Sequence, residues 1–518
     1  MIERGMNRRG FLAKSAMVAL SLQGRRLFAQ GTAGPCVVRT PNGVLRGEST
    51  DGVRVFRGVP FAEPPVGPLR FRPPVKKAAW KGERDATRFA AAAIQTGDPA
   101  VSKSEDCLYL NVWALEGAAA KSGAGLPVYV WIHGGGFTGG NSFAPIFDGT
   151  EFAREGIICI TVTYRLGVLG FLNMGPLLGA EYAGSGNNAL RDLMLALEWV
   201  QENVAAFGGD PARVTLGGES AGAKLTDILM GVPEAQGLFH QMISESGGAE
   251  RVWPASNATA VAKGFGDVWG ARGAAGLKTA SATELMTAQT SFIDSWPQHF
   301  PLRTEIDGTL LPKLPVETIA GGSAGGSTRG KRLLIGTNRD ESALFVGPHP
   351  AHDATAADLG NVPLERFQAV YAKYKALYPE MNEERLRIRA LTAEEYWVPS
   401  MRVADAHVRG GGSAWMYRLD FAPSSGRLKS YAYHSEDLGL AWDKPNRDID
   451  NAAAEAALAK QMHQAWVAFI QGKTPGAPGF PEWPQYVNGA RQTMVLDTQS
   501  RVEEKPQEAE LRFWDGVL

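Results

Sequence analysis

The residues best placed for covalent chemistry are Gly218-Glu219-Ser220-Ala221-Gly222, a serine flanked at two-residue spacing by glycines. A β-type run, Val214-Thr215-Leu216, precedes them and a helical pattern follows to Met230, which is the strand-to-helix setting of a nucleophile elbow. Such a turn strains the serine backbone and crowds the positions two before and two after it, so residues without a Cβ, here Gly218 and Gly222, fit there most easily. The following helix points its first N–H groups at Ser220 and favours the negative charge that develops during acyl transfer. Since 61 of the 518 residues are glycine, the five-residue pattern also arises by chance, and its partners must decide.

A serine hydroxyl is a weak nucleophile; it needs a general base, an acid to orient that base, and donors for an oxyanion. On an α/β-hydrolase scaffold the order along the chain is Ser, then Asp or Glu, then His, so the partners lie after residue 220. Among the eight histidines, His434 stands in YAYHSEDLG, a loop after the β-type run WMYRLDF, where a late strand delivers a base to the end of a sheet. His133 and His240 read as structural, and His299, His349, His352, His407 and His463 lie in loops or on helices without such a setting. Asp340 and Glu341 both follow the run RLLIGTN, at a strand end where α/β sites gather, and the pattern does not choose between them. For the oxyanion, a glycine turn, His133-Gly134-Gly135-Gly136-Phe137, can turn consecutive N–H groups inward, and the residue after the nucleophile supplies another donor. A phosphate-binding loop would need a following lysine and Ser/Thr, which this turn lacks.

Positioning these groups takes a sheet. Residues 36–75 alternate valine with charged residues around the turn dipeptides Asn42-Gly43 and Asp51-Gly52, which predicts antiparallel hairpins, and the prolines from Pro60 to Pro74 must wrap the surface. SEDCLYLNVWAL (104–115), PVYVWIHGGGF (127–137), ICITVTYRLGVLGF (158–171), RLLIGTN (332–338) and WMYRLDF (415–421) read as strands. Helical spacing marks 190–207 and 452–472, and charged helices over 354–408 suggest a cap beside the site. Strands alternating with helices predict an α/β fold: one large, mostly parallel sheet with helices on both faces, in a single domain over 36–518. A Gly/Ala stretch from Gly117 to Gly125 is a loop, and a Gly/Ser run over 320–331 is a surface loop.

A net charge of −1, with 44% hydrophobic and 21% charged residues, gives no reason to expect nucleic acid or an acidic membrane surface as partner. Cys36, Cys107 and Cys159 have neither metal-ligand spacing nor the number for a disulfide framework. Arg8-Arg9 before the apolar run Phe11 to Leu22, with Leu27-Phe28-Ala29 beyond, reads as a twin-arginine export signal over 1–29 with cleavage near Ala29, hence a periplasmic or secreted protein. No stretch reaches the ~18 apolar residues of a spanning helix.

Several stretches together resemble the type-B carboxylesterases, a family that includes cholinesterases and bacterial p-nitrobenzyl esterases: FRGVPFAEPPVGPLRFRPP, SEDCLYLNVW, VWIHGGGFTGG, YRLGVLGFL, FGGDPARVTLGGESAGA, GLFHQMISESGG, IGTNRDES and YHSEDLGLAW. The resemblance runs from about Val37 to the C-terminus. It implies the α/β-hydrolase fold with Ser220 as nucleophile, Glu341 as triad acid and His434 as base. It further implies oxyanion donors at Gly135, Gly136 and Ala221, and Ser246 as support for the acid, with no cofactor or metal. The chain departs from the family in two places. Alanines in RFAAAAIQ replace the usual partner of Cys107, implying a buried free thiol, and Lys224-Leu225 replaces small residues after GESAGA. Lys224 is expected to point to solvent; facing the pocket, it would favour anionic substrates.

The expected activity is hydrolysis of small carboxylic esters, short-chain or aryl, by a monomer or homodimer. The rate should rise with pH as His434 deprotonates near the ordinary ~6.5. The alternatives are a non-catalytic cholinesterase-like binding protein, or the same chemistry on a thioester, lipid, carbamate or toxin ester. Trp253, Trp269 and Trp296 could line a pocket, though core is the commoner role.

Overall fold

The computed structural model describes residues 34–117, 125–321, 326–346 and 354–518; the expected export signal and the middles of the Gly/Ala and Gly/Ser loops lie outside the described residues. Among the described residues twelve strands run along one sheet: β1 Gly34–Thr40, β2 Gly43–Thr50, β3 Val53–Pro60, β4 Tyr109–Leu115, β5 Leu126–Ile132, β6 Ile158–Val162, β7 Gly209–Glu219, β8 Gln241–Glu245, β9 Arg332–Asn338, β10 Ser413–Leu419, β11 Thr493–Leu496 and β12 Arg501–Glu503. Their spatial order is β1-β2-β3-β4-β6-β5-β7-β8-β9-β10-β11-β12, and a short strand, Glu83–Asp85, pairs with β2. From β6 to β11 every pairing is parallel. The N-terminal hairpins and β12 are antiparallel flanks.

The side-chain period of two explains why these strands are apolar throughout. On β5, Val128, Val130 and Ile132 join one hydrophobic layer while Tyr129 and Trp131 join the other. On β9, Leu333 and Ile335 divide from Leu334 in the same way. The first layer receives α1 Asn188–Asn203 and α2 Ala221–Met230 through Leu193, Leu197, Leu225 and Ile228. The second receives Leu458, Met462, Trp466 and Phe469 of a long late helix, Ala452–Ile470. With both faces covered, the chain ends of the parallel strands are the open places, and the glycine turn after β5, the elbow after β7 and the acid after β9 share one such end.

One expected strand is shorter. The run 158–171 is strand only to Val162, and Gly167–Phe171 is a short helix. Arg165 turns inward to a bidentate buried pair with Asp192 of α1 (2.6 and 2.8 Å), and Gly167, at φ +58°, donates its N–H to Phe137 O. An apolar run alone does not distinguish strand from buried helix. Within 354–408, helices Leu364–Leu377, Glu383–Thr392 and Val398–Arg409 occur, the last two joined by a π-helical turn, Ala393–Trp397. Cys107 is a free, buried thiol, and burial pushes its pKa up. No described helix is long and apolar enough to cross a membrane.

Candidate active site

Ser220 stands between β7 and α2 at φ +56°, ψ −121°, a conformation costly for a residue with a side chain. The glycines around it are dictated by close approach. A Cβ on Gly222 would lie 2.0 Å from Ile132 O, and one on Gly218 would lie 2.5 Å from Gly222 C. The turn is held from the neighbouring strand by Ser220 N–H donating to Glu245 O at 2.8 Å.

His434 arrives on the loop after β10. Its Nε2 is 2.8 Å from Ser220 Oγ and its Nδ1 is 2.6 Å from Glu341 Oε2. Glu341 is fully buried; its Oε1 accepts from Asn338 N–H (2.7 Å) and from the hydroxyl of Ser246, itself at φ +59° after β8. Asp340, which the strand-end pattern left level with Glu341, is turned away and accepts from Arg339 and from Ala432 N–H.

Gly134 packs against the elbow, where a Cβ would come 3.1 Å from Ser220 Cβ. Gly135 and Gly136 follow at φ +117° and +61°, and Ala221 opens α2, where the first N–H groups have no intrahelical acceptor. The turn is clamped: Gly135 O accepts from Gly139 N–H (2.9 Å), and the Gln95 amide bonds both ways to Gly140 (2.7 and 2.9 Å). His133 is buried, stacked on Tyr164 and bonded to Gly134 O, and burial lowers its pKa to about 4, which suits a neutral structural ring.

One feature was not read in the sequence, and a second was expected to lie elsewhere. Glu219, next to the serine, places Oε1 3.2 Å from His434 Nε2 and accepts from Ser435 Oγ at 2.5 Å. Position beside the nucleophile was the available signal. Burial raises Glu219 to about 7, against the opposing charge of His434. Burial alone would lower His434, but the carboxylates of Glu219 and Glu341, with Asp437, outweigh it and raise the imidazole to about 9. The ordinary value near 6.5 expected from the sequence therefore does not hold. The second feature is Lys224. It does not point to solvent: it is 3% exposed, with Nζ donating to Gly247 O (2.9 Å) and Glu395 O (3.0 Å). The sequence reading missed this because the acceptors sit on segments 23 and 171 residues away. Among the described residues no His/Cys/Asp/Glu group is arranged to hold a metal ion.

The profile of the Carboxylesterase family matches residues 34–514. The chain belongs to the carboxylesterase family. It is 34% identical to the para-nitrobenzyl esterase of Bacillus subtilis (strain 168), over 91% of this chain and 96% of that one. It is 33% identical to the fumonisin B1 esterase of Sphingopyxis macrogoltabida, over 88% and 86%. A solved Geobacillus stearothermophilus carboxylesterase superposes with a TM-score of 0.81 at 34% identity, covering 92% of this chain and 99% of that one. This carboxylesterase is thus an α/β-hydrolase-fold enzyme that hydrolyses carboxylic esters of small molecules.

Proposed function

We propose that the enzyme works through Ser220, His434 and Glu341 by way of an acyl-enzyme, on short-chain or aryl esters. The observation that carries this reading is the continuous chain of hydrogen-bond distances, 2.8 Å from Ser220 to His434 and 2.6 Å from His434 to Glu341. His434 Nε2 takes the Ser220 proton as Oγ attacks the ester carbonyl, and Glu341 holds the ring and balances the imidazolium. The N–H groups of Gly135, Gly136 and Ala221 receive the oxyanion. His434 then protonates the leaving alkoxide, and water repeats the sequence on the acyl-enzyme. One oxyanion donor is worth about 2.7 to 4 kcal/mol of barrier, which accounts for the clamping of the glycine turn.

For the N-terminal stretch, the proposal is export to the periplasm or beyond through the twin-arginine pattern at Arg8-Arg9. The test of the catalytic reading is hydrolysis of p-nitrophenyl esters from acetate to palmitate, beside Ser220→Ala. Activity highest on short chains and lost in the variant supports it. Turnover that survives Ser220→Ala would sink the assignment, and no turnover with no organophosphonate labelling of Ser220 would favour a binding protein.

A further inference from the structure

An oxyanion site speeds acyl transfer only if its donors are aimed before the charge develops. The N–H groups of Gly135 and Gly136 donate to no backbone acceptor among the described residues, so no bond of their own fixes their direction. Their aim is set by whatever holds the rest of the turn. Gly135 O accepts from Thr138 N–H (3.1 Å) and from Gly139 N–H (2.9 Å), which folds the far end of the turn back onto its start. The contact there is backbone on backbone. A Cβ on Gly135 would collide with Gly139 O and lie 2.5 Å from Gly139 C; one on Gly140, at φ +102°, would collide with Gly134 O and lie 2.5 Å from His133 Nδ1. With no side chain between them to give way, a shift of Gly140 is passed on to Gly134 and Gly135.

Gly140 is itself held from another segment. Gln95, 45 residues earlier in the chain, accepts from Gly140 N–H at Oε1 (2.9 Å) and donates from Nε2 to Gly140 O (2.7 Å). Two bonds running in opposite directions fix the peptide groups on both sides of Gly140 in position and in rotation. The amide that does this is fixed in turn. Its Nε2 also donates to Ala93 O (3.1 Å), and Ala92–Ala93 pairs with Lys103–Ser104 as a small parallel ladder. Hydrogen bonds and close packing thus run without a gap from that ladder through Gln95 and Gly140 to Gly135, while Gln95 bonds none of the triad residues.

We propose that Gln95 is a positioning residue of this esterase: its carboxamide sets the aim of the Gly135 and Gly136 N–H groups, and through them the rate of acyl transfer. The proposal rests on the reading of Ser220 as nucleophile and of these glycines as oxyanion donors. Such donors bond the tetrahedral oxyanion far more strongly than the ester that precedes it, so loosening them lowers kcat and leaves KM where it was.

The test is Gln95→Met, which keeps the bulk and removes both bonds to Gly140, assayed on p-nitrophenyl butyrate with active sites counted by organophosphonate titration. Its kcat per active site should fall about tenfold to a hundredfold, less than or equal to the loss of a whole donor. KM should stay within about twofold. The second readout is a trifluoromethyl ketone. Ser220 Oγ adds to its carbonyl carbon, the serine proton passes to His434 and the carbonyl electron pair becomes the oxyanion. The variant should bind this ketone more weakly by the same factor as kcat falls, which a merely structural role would not produce. Should Gln95→Met fail to fold, Gln95→Glu keeps an acceptor for Gly140 N–H, loses the donor to Gly140 O, and should show the same paired losses.

Lys103→Met is the control. It removes the bonds from Lys103 Nζ to Gly97 O (3.2 Å) and Asp98 O (2.8 Å), which brace the same segment without touching Gly140. It should lower the thermal midpoint and leave kcat per active site and ketone affinity as in wild type. A Gln95 variant with wild-type kcat per active site and wild-type ketone affinity would overturn the proposal, as would a change in KM alone or an equal loss of kcat in Lys103→Met. Ketone inhibition that is equal in wild type and variant defeats this inference by itself. A wild-type enzyme that neither binds the ketone nor takes up the organophosphonate defeats the reading of Ser220 and its oxyanion site, and this inference with it.

Discussion

His434 and Arg251 are both buried near Tyr396, under opposite fields. Around the imidazole stand Glu341 at 2.6 Å and Glu219 at 3.2 Å, with Asp437 and Glu245 buried behind them. Around the guanidinium stand Lys224 and Arg303, with Glu395 paired to it. Tyr396 marks the border, its ring 4.7 Å from the His434 ring and 4.9 Å from Lys224 Nζ. The acidic side is hydrogen-bonded by neutral donors: Tyr417 and Asn338 on Asp437, Trp466 on Glu245, Ser435 on Glu219. The cationic side is hydrogen-bonded largely by neutral acceptors. Each side thus keeps its field while satisfying most of its polar atoms; Arg251 Nε and Glu245 Oε2 have no hydrogen-bond partner among the described residues. Negative charge is stored where an imidazolium would form.

The largest effects test the acidic side at its reacting end. Ser220→Ala should lower kcat/KM by about 10⁴-fold or more while the thermal midpoint stays put, since the change removes one hydroxyl. Glu341→Gln should cost about 10³ to 10⁴-fold, because the amide can balance no charge and can hold the ring in the wrong tautomer. If Glu341→Gln costs less than tenfold in steady-state assays, the carboxylates around His434 are not acting electrostatically and the contrast between the two sides fails.

On the cationic side the first casualty should be stability. Lys224→Met keeps the bulk but strands the carbonyls of Gly247 and Glu395 and leaves Glu395 to Arg251 alone. Removing one member of a buried charged set typically costs about 3 to 5 kcal/mol, against roughly 0.5 kcal/mol for a substitution on the surface. Denaturant melts would read the difference, and a loss below 1 kcal/mol would mean that Lys224 is not a fastening between α2 and the π-helical turn.

Much of the acidic side was legible in the sequence, and almost none of the cationic side. The family resemblance and the strand ends led to Ser220, Glu341 and His434 because a nucleophile elbow and a late strand loop impose local patterns. The parallel strands were readable since both faces are buried and the residues are apolar without a break, as in RLLIGTN for β9. The same property misled at 158–171, where inward-turning Arg165 and left-handed Gly167 end the strand. Lys224, Arg251, Arg303 and Glu395 sit in four separate segments, and no local spacing marks their meeting. Pro399 after the Glu-Glu-Tyr run is the nearest thing to a signal, because a proline inside a helical pattern disturbs the bonding of the turn before it.

The smallest effect is also the sharpest test of the contrast. Only the neutral imidazole can take the Ser220 proton, so kcat/KM should rise with pH through the ionisation of His434. Glu219 and Glu341 raise that ionisation to about 9, so the limb should lie well above 6.5. Glu219 itself is raised to about 7 by burial, so the two groups lose protons as a pair and the wild-type limb should be broader than a single ionisation. Glu219→Gln takes away the carboxylate 3.2 Å from Nε2. The limb should then narrow and move down by about one pH unit. Below the limb the variant would hold more neutral imidazole and turn over faster than wild type. Above it, having lost one anion facing the imidazolium of the transition state, it would be slower. Crossing pH profiles would show that the acidic side raises the basicity of His434 at the expense of its neutral fraction; a limb that stays where it was would reduce Glu219 to packing and leave Glu341 and Asp437 as the carboxylates acting on the base.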